Sequence, residues 1–379
     1  MDTISNIQPV SDGFGYQPQY RDAAKPKTAK PVVSKQVGCE SGVGIAAGRS
    51  ATTVYPDVEH LTPGDLLTVS IASDETFTGS YEVSQDGTLK LPYIDAISAK
   101  GRTVQAVERA IAQELVAEEF YEKAPRISVR VADFAAARVF VSGAVFEPNA
   151  VTVGAVSGSD IDRTRQSAIG AVAGSRRLSA ALQAAGGVRP DADLKQVILR
   201  RAGEVRKIDV RPAMFGRPFN DPILLESDQI EVRSLECFQP ELARPSSVTP
   251  PGIKVYMSNL SQPADANALA AVSKDTTDLR YGTRFIQAVF GMNCYGGAKL
   301  TNANRSAILL SRDPVTGDSI VVERDIEDLL RRSDRDSYNP YLMPYDSIAC
   351  YDSTVVSVTE VARALGAAAT PAVILGISR

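Results

Sequence analysis

The chain has no tryptophan and a single histidine, His60, in 379 residues. A histidine-rich metal site is thereby excluded, and any catalytic dyad built on histidine within one chain would have to use His60. That residue lies just before a predicted strand, where an ordinary loop histidine is the plainer reading. Cysteine is scarce. Cys39, Cys237, Cys294 and Cys350 lie far apart, with no two at a metal-knuckle spacing, which argues against a zinc site. In an exported protein Cys294 and Cys350 are a candidate disulfide; free buried thiols are an equal alternative. Positive charge is not in excess: 41 Lys and Arg face 45 Asp and Glu, for a net charge of −4. This argues against a nucleic-acid partner. Nothing in the composition calls for a cofactor or a metal ion.

The first twenty residues lack a basic stretch followed by an apolar one, so as given they do not read as a secretory signal. "QVGCES" does contain a Gly-Cys pair like that of a lipoprotein cleavage site, which makes Cys39 a lipidation candidate. Gln36 and the upstream "KPVVSK" are not the apolar residues such a site prefers. Residues 1–50, rich in Pro, Gln, Lys, Ser and Gly, read as a flexible tail.

Periodic sequence begins near Val54. "TPGDLLTVSI" gives a turn and then Leu67, Val69 and Ile71 at period two, a strand. "YEVSQDGTLKLPYI" reads as a hairpin around Asp86-Gly87, with Tyr81 and Val83 on one side and Leu89 and Leu91 on the other. In "GRTVQAVERAIAQELV" the apolar spacing becomes helical through Val104, Val107, Ile111 and Leu115, with Thr103 as N-cap. "RISVRV" returns to strand. Residues 51–134 are therefore expected to form one α+β domain.

An internal repeat follows. "RVFVSGAVFEP" (138–148) matches "IKVYMSNLSQP" (253–263). "RRLSAALQAAGG" (176–187) matches "TRFIQAVFGMNCYGG" (283–297), each a short helix ending at Gly-Gly. "LLESDQIEV" (224–232) matches "LMPYDSIAC" (342–350). The two copies, 135–235 and 253–353, look like β-grasp domains, joined by a semi-rigid proline-rich linker at 236–252. The closing strand also resembles "LTPGDLLTV" (61–69), aligning Asp65, Asp228 and Asp346. Three repeated carboxylates in equivalent turns are expected to accept backbone N–H bonds as the chain enters a strand, rather than to bind a ligand.

Residues 354–379 read as an amphipathic helix. Val358, Val361, Leu365, Ala368, Ala372 and Leu375 form an apolar stripe, and Thr359, Arg363, Gly366 and Thr370 the opposite one. Glu360 and Arg363 interrupt the apolar run, so it is not a conventional single span. A helix docked on its own domain is the plainer reading. A ring of such helices is the alternative, with the first stripe facing lipid and the second a water-filled lumen. Pro371 would kink or restart the helix.

Taken in order, "TPGDLLTVSI", "YEVSQDGTLKLPYI", "GRTVQAVERAI" and "PRISVRV" resemble the export domain of Wza-type outer-membrane polysaccharide exporters. "RVFVSGAVFEP…LSAALQAAGG" resembles the soluble-ligand-binding β-grasp repeat that follows in that family. "GMNCYGGAKLTNANRSAILLSR" and "IEDLLRRSDRDSYNPYLMPYDSIACYDS" are similar to the capsule-export subgroup served by ABC transporters. The resemblance covers about residues 52–370. It implies a homo-oligomeric ring, octameric or similar, standing in the periplasm with its last helices forming a barrel through outer-membrane lipid. It also implies polysaccharide in transit, and an inner-membrane copolymerase or adaptor beneath the ring.

The resulting expectation is a non-catalytic conduit for capsular or extracellular polysaccharide. A soluble periplasmic carbohydrate-binding protein built on the β-grasp repeats is the alternative. An enzyme would need paired carboxylates across a cleft; Asp86 with Asp95, or Asp334 with Asp336, are the pairs on offer, and all four sit in turn-like contexts.

Overall fold

The computed structural model describes residues 17, 39, 60–72, 74–154, 176–259, 276–294, 305–314 and 317–351. The chain divides into two compact units. One is Gly48–Val188 with Ala192–Ser234; the other is Met1–Ala47, Arg189–Asp191 and Leu235–Arg379. The described elements are mixed α and β. The expected C-terminal helix, with all ten of its lumen- and lipid-facing candidates, lies outside the described residues.

The first unit begins with a three-stranded antiparallel sheet in the order β2-β1-β5, made of Leu66–Ile71 (β1), Asp74–Glu82 (β2) and Ile127–Asp133 (β5). Leu67, Val69 and Ile71 of β1 are buried, as their period of two requires. Helix α1 (Val104–Ala117) covers this sheet with Val107, Ile111 and Leu115, spaced by one turn and fully buried. Thr103 is its N-cap and accepts a bond from the Ala106 N–H at 3.2 Å.

The hairpin around Asp86-Gly87 differs from expectation. Tyr81 belongs to β2, which pairs along most of its length with β1. Across the turn only Val83 and Leu89 bridge. Thr88–Leu89 (β3) instead pairs with Ile97–Ser98 (β4). The longer β1–β2 ladder takes the hydrogen bonds that an isolated hairpin would have used. The turn itself forms as read, with Gly87 at φ +82°. A Cβ there would sit 2.7 Å from Lys100 Cβ.

Two five-stranded sheets follow, one in each unit, with the same connectivity. The first contains Ala137–Gly143 (β6), Asn149–Val153 (β7), Leu178–Ala184 (α2), Val197–Arg201 (β8), Glu204–Ile208 (β9) and Gln229–Val232 (β10). Its order is β7-β6-β10-β8-β9. The second contains Gly252–Asn259 (β11), Thr277–Arg280 (β12), Phe285–Gly291 (α3), Ser306–Arg312 (β13), Ser319–Asp325 (β14) and Ser347–Tyr351 (β15), in the order β12-β11-β15-β13-β14. In both, the first and last strands of the copy run parallel at the centre. Two short helices, Ile326–Arg331 (α4) and Arg335–Tyr338 (α5), are inserted before β15.

The helix starts of the two copies are capped alike. Leu178 N–H donates to the Pro222 carbonyl and Phe285 N–H to that of Pro340. Asp221 accepts from Ser179 N–H at 2.9 Å, and Asn339 Oδ1 from Ile286 N–H at 3.0 Å. An Asx-Pro pair from a distant segment thus supplies acceptors for orphan N–H groups in both helices.

Residues 236–252, read as a linker, are packed rather than spacer-like. Phe238, Leu242, Ala243 and Val248 are buried. Phe238 stacks on Tyr341, with ring centroids 5.7 Å apart. The tail read as flexible has two held residues. Gln17 is fully buried. Its amide donates to the Tyr341 carbonyl at 2.8 Å and accepts from the Tyr341 N–H at 2.9 Å, completing a backbone-like pair. Cys39 is bonded to Cys237.

Candidate functional site

The three aligned aspartates occupy equivalent turns. In each, one carboxylate oxygen accepts the N–H three residues earlier, from Thr62 to Asp65, from Leu225 to Asp228 and from Met343 to Asp346, at 2.8 Å in every case. Each side chain is buried. The turn role read from the repeated pattern is therefore the one the geometry provides.

What differs is the second partner. Asp65 accepts from the Ala135 N–H at 2.8 Å and from Arg176 Nη1 at 2.9 Å. Both members of this ion pair are fully buried. Arg176 also donates to the carbonyls of Ala135 and Leu224 and lies over the Phe134 ring at 5.5 Å. Burial pushes the Asp65 carboxyl up from its ordinary value, against the opposing pull of the Thr62 N–H and the Arg176 charge. The pair joins the turn at the head of β1 to the segment that enters α2, so the α+β domain and the first repeat share one buried node. Ile223 of the repeat also packs in the hydrophobic core of that domain.

Arg176 was missed in the sequence, where it stands only as the first residue of "RRLSAALQAAGG". The signal available was the Arg-Arg doublet directly before an apolar helix. Gly154 makes room for it: at φ +93°, a Cβ there would lie 2.3 Å from Arg176 Cγ. Asp228 has a different cation, Arg201, which donates through Nε and Nη2 at 2.6–3.2 Å. Asp346 has the Ser311 hydroxyl at 2.6 Å. Burial raises its carboxyl to about 7, opposed by the Met343 N–H and Ser311.

Of the acids considered for hydrolysis, the Asp86 and Asp334 carboxylates are engaged by other side chains. Asp86 accepts from the Thr88 N–H and hydroxyl and pairs with Lys90 on an exposed surface. These bonds, led by the Thr88 hydroxyl, hold it at about 2. Asp95 groups with Glu114 and Glu118, whose ligand oxygens all lie within 4.8 Å of one another on an open face. Asp334 takes two bonds from Arg332, which lower its pKa, and the Asp336 carbonyl accepts from Arg284. His60 bridges to Thr103 through the backbone.

Cys294, after α3, is bonded to Cys350 in β15, a separation of 56 residues. Cys39, the lipidation candidate, is bonded to Cys237 across 198 residues. One sulfur cannot hold both a disulfide and a thioether, so in this structure Cys39 is not a lipid carrier. The signal for its partner was weak, because the long separation gives no local spacing to read.

Asp65, the acidic half of the node, lies within a domain of strand, strand, helix and strand whose sequence can be compared with known families. Residues 55–132 match the family described as polysaccharide biosynthesis/export protein. This stretch of the chain thus resembles a polysaccharide export domain. The match ends at Ala132, three residues before Ala135, whose N–H and carbonyl both take part in the Asp65–Arg176 node. The export domain is held to the following repeat at the point where the match stops.

Among the described residues no helix is long and apolar enough to cross a membrane.

Proposed function

We propose that this protein is a ring-forming conduit for capsular or extracellular polysaccharide, of the kind served by an ABC transporter. The observation that carries the reading is the export-domain match at residues 55–132. Polymer passes through a central lumen without being cut. Binding depends on shape and weak polar contacts, and no nucleophile–base pair is required. The protein stands in the periplasm as a homo-oligomer, with an inner-membrane copolymerase or adaptor below it and outer-membrane lipid around its C-terminal helices. The two copies of the five-stranded fold act as β-grasp spacers.

Two further features support the reading. All four cysteines are paired, which fits an oxidising compartment such as the periplasm. The Asp65–Arg176 node holds the export domain and the first repeat as one body, which suits a wall element that must keep its shape while polymer passes. Thr359, Arg363, Gly366 and Thr370 line the lumen, and Val358, Val361, Leu365, Ala368, Ala372 and Leu375 face lipid.

The test is fractionation of the exported protein with and without residues 355–379. The conduit reading expects the full chain in the outer-membrane fraction and the truncated chain in the soluble periplasm. A full-length protein that stays soluble when correctly exported contradicts it, and favours a periplasmic carbohydrate-binding protein.

A further inference from the structure

The two copies of the five-stranded fold differ at one register position in a way that changes their chemistry. Phe140 N–H donates to the Asp228 carbonyl and Tyr256 N–H to that of Asp346, which makes the two aspartates equivalent. Gln229 opposes Arg200, and Ser347 opposes Leu310. The next residue of the neighbouring strand is Arg201 in the first copy and Ser311 in the second. The same comparison places Thr283 where the first copy has Arg176, because Leu224 N–H donates to the Arg176 carbonyl and Leu342 N–H to that of Thr283. At these two positions the first copy has arginines and the second has hydroxyl residues; of the four, Arg201 bonds Asp228 and Ser311 bonds Asp346.

Asp346 is 2% exposed. Its side chain meets the Met343 N–H and the Ser311 hydroxyl. The ionisable side chains nearby in the chain are Lys254 and Tyr256 on β11, Arg312 on β13 with Asp313 just after it, and Tyr345 on the turn. At the Asp346 carboxyl itself, only the Met343 N–H and the Ser311 hydroxyl oppose the effect of burial. A buried carboxylate without a cation is costly, so the neutral acid is favoured. Ser311 Oγ can accept a bond from the protonated acid as readily as it donates to the carboxylate.

We propose that Asp346 holds a proton in the folded second repeat and that losing it loosens this unit, so that the repeat tightens in acid and relaxes at neutral to alkaline pH. Burial raises the carboxyl from its unfolded value of 3.8 to about 7. The folded state then binds more protons than the unfolded state between those values. The stabilisation is full below the lower value and is lost as the pH rises through the upper one. The equivalent Asp228 has Arg201 against it. The strand that carries the device, β15, ends at Tyr351, just before residues 354–379, the segment assigned to the membrane under the proposed function; the proton equilibrium itself does not depend on that assignment.

The window is unusually clean. The chain has one histidine, His60, and it lies in the other unit. The cysteines are all in disulfides and do not titrate.

The test is amide hydrogen exchange of the full-length protein at about pH 5 and about pH 8, corrected for intrinsic rates and read at β13 and β15. For the wild type, protection there should fall on the order of 100-fold across this range. Asp346→Asn, which mimics the neutral acid, should remove most of that fall. Ser311→Arg, which restores the cation of the first copy, should remove it as well. β8 and β10 of the first copy should show no matching change. Wild-type protection in β13 and β15 that is the same at both pH values overturns the proposal, whether or not the variants fold. So does a fall that Asp346→Asn leaves unchanged.

Discussion

Arg176 donates to acceptors from three segments, Asp65, Ala135 and Leu224, with its guanidinium fully out of water. Taking the cation away leaves a buried carboxylate uncompensated. Arg176→Met is therefore expected to destabilise the unit by about 3–5 kcal/mol, with part of the loss recovered when Asp65→Asn is added. Urea unfolding of the two variants against the wild type measures both effects. A smaller backbone change should act on the same node. Gly154→Ala places a Cβ 2.3 Å from Arg176 Cγ at a φ of +93°, so both strain and overlap oppose it, and a loss of about 1–3 kcal/mol is expected in the same assay. Asp65 was legible in the sequence because its turn occurs three times. Arg176 was not, because its partner is 111 residues away and nothing local records the pairing.

At the level of elements, period was a sound guide wherever one face of an element is buried. The apolar positions of β1 and the 3.6-residue spacing of α1 appear in the structure as read, Thr103 cap included. Two places were harder. The strand after Ile71 was hidden, because "DETFTGSYE" alternates only weakly between buried and exposed positions and carries its pairing through the backbone. The proline-rich stretch 236–252 looked like a spacer because Pro and Ser dominate it; its few apolar residues, Phe238, Leu242 and Val248, are nonetheless buried. The Cys294–Cys350 bond fastens the end of α3 to the central strand β15 and closes a loop of 56 residues. Replacing both by serine is expected to cost about 2–5 kcal/mol. Thermal unfolding should show the loss, and adding reductant to the wild type should reproduce it where the thiols are reached.

For the whole molecule, order along the chain carried more information than any one motif. The export-domain match spans residues 55–132. The two sheets of identical connectivity beyond it were foreshadowed by paired segments such as "LLESDQIEV" and "LMPYDSIAC", which share the turn aspartate. Under the proposed function the site is legible only in part for a physical reason: a conduit would have no reacting constellation whose residue types must recur at a fixed spacing, and its function would be a property of the assembly. The most direct test is an image of the particle extracted in detergent from the membrane of a producing cell. The account predicts a closed ring of identical subunits around a continuous lumen, with a collar formed by residues 354–379. A monodisperse monomer, or an oligomer with no opening along its axis, would contradict it.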